Sequence, residues 1–220
     1  MFPILSGNVA SATTVSGNQE GVFGYGWTGS ATIDETNLVS NTGVIATDVT
    51  GAGQDRQKPA ACEYGGDKGI FGYGTAVIGA STTHLSMTNL VTNAGVVGTD
   101  VTGVGQARPA LAACSYGEDK GIFGYGESFD DPYQFSMTNL VSNSGVVATD
   151  VTGVGTARQQ LAATQYGDDK AIFGFGHNGS AAVSMTNLVS NSGVVATDTS
   201  GVGTARNGSA ACSYDGDKGI

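Results

Sequence analysis

The chain is short of charge, and most of all of positive charge. Nine Lys or Arg stand against 19 Asp or Glu in 220 residues, for a net charge of −10. Nucleic-acid binding needs a basic stripe that displaces counterions from phosphates. Eight of the nine cations recur at fixed repeat positions, Lys68, Lys120, Lys170 and Lys218 and Arg56, Arg108, Arg158 and Arg206, and only Lys58 stands outside that pattern. No recruited basic patch remains, so nucleic acid is not an expected partner, and the acidic balance disfavours anionic membrane surfaces. Long apolar runs are missing too. No segment approaches the roughly 18 apolar residues of a membrane-spanning helix. The opening FPIL has neither a basic flank nor a sufficient apolar stretch, so no signal peptide, no membrane insertion and synthesis in the cytoplasm are expected. No apolar stripe of helical period and length occurs. The three cysteines, Cys62, Cys114 and Cys212, hold one place in three repeats, and Thr164 holds it in the other. Equivalent places in successive units are too far apart for a disulfide, whose Cα atoms lie within about 7 Å. A small buried side chain is the expected role.

What the chain has in abundance is repetition and glycine. SMTNLVSNSGVVATD at 136–150 returns unchanged at 184–198, and related strings run over 34–48 and 86–100. A second signature, GIFGYG, occupies 69–74 and 121–126, with variants at 21–26 and 171–176. Its phenylalanines, Phe23, Phe71, Phe123 and Phe173, lie 48, 52 and 50 residues apart. A period near 50 marks a repeat architecture. Each unit holds four extended pieces of the types KGIFGYG, TNLVSN, GVVATDV and LAACSY, rich in Val, Ile, Thr and aromatics and bounded by Gly, Asn, Ser and Asp. The NSG, NTG or NAG between the second and third pieces suits a tight hairpin turn.

Four short antiparallel strands per unit predict an all-β fold of β-propeller type, built from kelch-like four-stranded blades; a β-solenoid is the alternative. Four full repeats and a split fifth are expected within a single domain. Residues 1–17 supply a strand that completes a blade, with the strand itself at 10–16. Blades follow at 18–66, 67–118, 119–168 and 169–216, and 217–220 begin the next. A five-bladed ring with a composite last blade, a four-bladed ring, a ring shared between chains and a piece of a longer chain all fit this pattern.

Over 18–220, the sequence GIFGYG…TNLVSN.GVVATD.TGVGTAR..LAA resembles the kelch-like repeats of tailed-phage virion proteins. It departs from them in having FGYG where they carry a triple glycine, and TNLVSN where they carry an aspartate-led strand. The resemblance implies a propeller on a tail, baseplate or capsid surface. It implies no particular receptor.

Asp48, Asp100, Asp150 and Asp198 recur at the end of the third strand. They read as turn formers that accept backbone N–H bonds, with a carboxylate-lined, cation-binding channel as the alternative. Arg56, Arg108, Arg158 and Arg206 follow eight residues later. They could pair with acids within or between blades, fix blade register, or form an anion-binding ring. Enzyme signatures are nearly absent. His84 and His177 lie in variable loops with no partner at metal spacing, no GxSxG occurs, and the GxG strings precede strands. Glu127, Asp130 and Asp131 form a small acidic cluster too sparse for calcium. Neither enzymatic activity, a cofactor nor a metal is expected.

The copies differ most between the first and second strands, where they read WTGSATI, TAVIGASTTHLS, ESFDDPYQFS and HNGSAAVS. These loops should emerge on one face. They carry Trp27, His84, Phe129, Asp130, Asp131, Tyr133, Phe135 and His177 as candidate ligand-binding residues, since binding usually resides in loops on a rigid scaffold. A second variable site, QKPA, PAL, QQL or NGS, follows each arginine and could be a subunit contact. The expected function is structural or adhesive: a homo-oligomeric protein of a virion surface presenting loops to a host-surface polysaccharide or another virion protein. A soluble lectin, a hydrolase and a purely structural decoration or fibre-forming protein are the alternatives.

Overall fold

The computed structural model describes residues 20–220, and the expected strand at 10–16 lies outside them. Among the described residues the fold is all-β. Its strands are β1 (Gly21–Trp27), β2 (Thr32–Val39), β3 (Ala60–Tyr64), β4 (Lys68–Ile78), β5 (Ser81–Val91), β6 (Ala112–Tyr116), β7 (Lys120–Gly124), β8 (Thr138–Val141), β9 (Ala162–Tyr166), β10 (Lys170–Gly174), β11 (Thr186–Val189), β12 (Ser213–Tyr214) and β13 (Lys218–Gly219). No helix here is long and apolar enough to cross a membrane.

These strands form small antiparallel sheets in the orders β1-β2, β3-β4-β5, β6-β7-β8, β9-β10-β11 and β12-β13. The first GIFGYG-type strand is central in each three-stranded sheet. The AACSY-type strand pairs on one side and TNLV on the other, as in Cys62↔Ile70 and Ile70↔Leu90. The GVVATDV piece adds a fourth extended segment through isolated bridges, Val91↔Val97 and Thr88↔Val101 in the second repeat. Hydrogen bonding therefore groups the end of one sequence unit with the start of the next.

Successive sheets pack face to face, β3 on β6 and β6 on β9. The core lies between them, in layers such as Ile70, Tyr73, Leu111, Phe123 and Val141, then Ile122, Tyr125, Leu161, Phe173 and Val189. Glycine makes the close approach possible. A Cβ on Gly72 would stand 2.7 Å from Cζ of Phe123, and one on Gly124 would stand 2.6 Å from Cζ of Phe173. Phe71 lies against Gly24 in the same way. Each phenylalanine also meets the preceding repeat's tyrosine edge-on: the Tyr25–Phe71, Tyr73–Phe123 and Tyr125–Phe173 centroids are all 5.2 Å apart.

The tyrosine of each FGYG, and Phe175 in the last, takes a positive φ of 63–66°. An aromatic residue is strained there by about 1–2 kcal/mol. The turned residue coincides with a register shift between Gly72 and Gly74 in β4. This bulge aims Tyr73 toward the next repeat.

Cys114 is buried, Cys62 partly buried and Cys212 exposed, all as free thiols. Burial pushes the Cys62 thiol up to about 12 and raises that of Cys114. Cys212 belongs to the terminal hairpin of β12 and β13, on which no further sheet packs among the described residues.

Candidate functional site

Two kinds of repeated or variable position were candidates, and the structure separates them. The repeated charges lie inside the junctions between repeats. Arg56, Arg108 and Arg158 are fully buried. Each donates from Nη2 to the Asn of the next repeat: to Asn89 at 2.5 Å, Asn139 at 2.5 Å and Asn187 at 2.7 Å. Each places Nη1 3.7–3.8 Å from that repeat's aspartate, Asp100, Asp150 or Asp198. Each also covers the ring of its own repeat's tyrosine, Tyr25, Tyr73 or Tyr125. Burial lowers the pKa of Arg56 and Arg108, and the nearby tyrosine and aspartate raise it in part.

The aspartates accept backbone N–H bonds, but from the preceding repeat. Gln54 N, Gln106 N and Thr156 N each donate at 2.9 Å to Asp100, Asp150 and Asp198. These groups set the register between repeats. The three buried arginines, each wedged between a ring and an amide, form no open anion-binding ring. Asp48 and Arg206, at the two ends, are exposed.

The second, third and fourth variable loops adjoin along one edge. In the second repeat β4 and β5 continue as a regular hairpin to Ile78↔Ser81, which places His84 opposite Thr75. In the third, the loop folds back through the bridge Glu127↔Gln134 and the bond from Ser128 N to Tyr133 O. The two loops meet where the His84 ring stacks on Phe129, with centroids 3.6 Å apart and planes 22° from parallel. Third and fourth loops meet at Gln134, whose Oε1 would crowd a Cβ on Gly179. His177 is partly buried, and its Nδ1 accepts from Gly179 N at 3.1 Å.

Phe129, Tyr133 and Trp27 are 55%, 59% and 47% exposed. Asp130 and Asp131 are also exposed, and Phe135 is half-buried. Burial lowers the His84 pKa; Glu127 and Asp130 oppose that, and Lys58 adds to it. The acidic trio does not converge on a common centre: Glu127 pairs with Lys58 Nζ at 3.0 Å, while the Asp130 backbone N–H donates to Ser128 Oγ at 3.1 Å.

Sequence reasoning missed that the second variable site belongs to this same edge. Gln57 pairs with Thr75, Gln159 pairs with His177, and Glu127 N donates to Pro109 O. A ladder of backbone bonds then runs along the repeats, from Ala110 N to Lys58 O, Gln160 N to Ala110 O and Gly208 N to Gln160 O. One signal was available: Lys58 is the only cation outside the repeat pattern, and it lies in this ladder.

No protein-family model and no curated protein matches this chain. What differs most from repeat to repeat is the edge. It holds a mixed aromatic and acidic surface of about three loops, carried on junctions that barely vary.

Proposed function

We propose that the chain is a non-enzymatic display module of β-propeller type, with kelch-like blades, on a phage-type virion surface. Its diversified loop edge would bind a host-surface polysaccharide or a neighbouring virion protein. The observation that carries this reading is the contrast between uniform junctions and a continuous variable edge. The stacked His84–Phe129 pair joins two of its loops, and Phe129 and Tyr133 remain more than half exposed. Exposed aromatic faces suit sugar rings and protein anchors. The blade reading draws on the four antiparallel segments per repeat and their face-to-face packing. Weak single contacts gain strength when many copies are displayed together.

The test is binding of the purified chain, alone and displayed multivalently, to envelope polysaccharides and whole cells. The control replaces 127–135 by the shorter 177–183 loop. Binding that the replacement abolishes, and that Phe129→Ala weakens about tenfold, supports adhesion through this edge. Binding by neither protein, even multivalently, overturns it.

A further inference from the structure

Every junction inside the chain joins two unlike halves. The leading half offers a glycine beside an aromatic at positive φ, an arginine and a backbone N–H. The following half offers a phenylalanine, an asparagine and an aspartate. Among the described residues, each end of the array leaves one half without its mate. At the head, Phe23 is 62% exposed, whereas Phe71, Phe123 and Phe173 are 5%, 0% and 0% exposed. Asn37 donates to Asp48 at 2.7 Å, as Asn139 does to Asp150, but no arginine reaches Asn37. Phe23, Tyr25, Asn37 and Asp48 surround a recess of about 210 Å³. At the tail, Arg206 lies over Phe175 at 3.8 Å, as the other arginines lie over their tyrosines, yet it is exposed while those three are fully buried. A Cβ on Gly174 would meet only its own repeat's Thr186, at 3.4 Å, with no ring on it. Gly174, Phe175, Ile172, Tyr166 and Arg206 line a mostly apolar cavity of about 640 Å³.

We propose that the head of one copy docks on the tail of another, through the junction that joins the repeats internally. Phe23 of the incoming copy lies on Gly174, edge-on to Phe175. Arg206 donates to Asn37 from Nη2 and to Tyr25 O from Nε, as Arg108 does to Asn139 and to Tyr125 O. Asp48 takes the backbone N–H of Thr204, as Asp198 takes that of Thr156. Because the two surfaces differ, the contact is heterologous: it closes rings or propagates filaments, and it does not stop at a symmetric dimer.

Among the described residues, one short strand stands in the way. β12 and β13 pair as Ser213↔Gly219 and Tyr214↔Lys218, copying Glu63↔Gly69 and Tyr64↔Lys68. β13 therefore occupies the place that Gly21, at the start of the incoming β1, would take. It has two residues, both exposed, against the seven of β1. β13 yields and β1 pairs with β12, so that one sheet is shared by two chains.

Sedimentation velocity of the full chain from about 1 μM to 1 mM tests this, with four comparisons. A variant ending at Gly216 lacks β13 and should associate at least about tenfold more tightly. Phe23→Asp removes only the head and Arg206→Glu only the tail, both at exposed side chains, so each alone should stay monomeric and keep the parent's melting temperature. Their mixture retains one intact junction and should give a 1:1 dimer and nothing larger. A parent and shortened variant both monomeric at 1 mM overturn the proposal. So does a single variant that assembles like the parent, a mixture that stays monomeric, or one that grows beyond two chains.

Discussion

Gly72, Gly124 and Gly174 occupy one place in three repeats, but their surroundings differ. The first two face a phenylalanine ring from the following repeat at a distance no Cβ tolerates; the third would bring a Cβ only into ordinary contact, 3.4 Å from Cγ2 of Thr186. Gly124→Ala should therefore cost about 1–3 kcal/mol by overpacking. Gly174→Ala should stay within about 0.5 kcal/mol, as ordinary substitutions away from such features do. Urea denaturation of both variants checks this, and equal effects would contradict the packing described. The alternation of glycine with Phe and Tyr was legible in the sequence. The positive φ of Tyr73 and its counterparts was not, because propensity argues against an aromatic there and only packing across the junction holds it.

At the scale of the loop hairpins, His84 sits between the Phe129 ring, Glu127, Asp130 and Lys58. Burial lowers its pKa below the ordinary 6.5, so the folded state favours the neutral ring. This contribution is complete above pH 6.5 and is lost as pH falls through the lowered value. An NMR titration should give a midpoint below 6.5, moved lower by Glu127→Gln and higher by Lys58→Ala. A wild-type midpoint at or above 6.5 would contradict the burial of this ring. That the variable loops adjoin was inferable from their equivalent positions in the repeat. Their union with the QKPA-type site was not, because it depends on backbone ladders between segments some 50 residues apart. The burial of Arg56, Arg108 and Arg158 was equally hidden. A charged residue in a glycine-rich linker reads as solvated, and its asparagine partner lies about 30 residues downstream.

Over the whole molecule, each described sheet packs on its neighbouring sheets, so stability approximates a sum of sheet and junction terms. Arg108→Met removes the donor to Asn139, Tyr125 O and Gln106 O at the middle junction. Because Asp150 keeps some solvent contact, the expected cost is about 2–3 kcal/mol, below that of a fully enclosed pair. The larger consequence is for cooperativity: the two flanking pairs of repeats should unfold in separate transitions by calorimetry, where the parent shows one. A single transition that merely moves to lower temperature would argue that coupling extends past nearest neighbours. The all-β class, the period and the strand order within a repeat were readable from composition and self-similarity. Which surfaces join the repeats was not, because partners in a junction come from different copies of the unit.

The junctions reuse one set of groups, an aromatic pair, an arginine, an asparagine and an aspartate, and 136–150 and 184–198 are identical letter for letter. A copy of the unit inserted between two others would meet a familiar neighbour on both sides, and a copy excised would leave the remaining ones matched. Unequal recombination between such tandem segments would thus change the array's length while leaving the junction contacts matched. Copy number becomes a freely heritable variable, while each new unit brings a fresh loop on which selection can act.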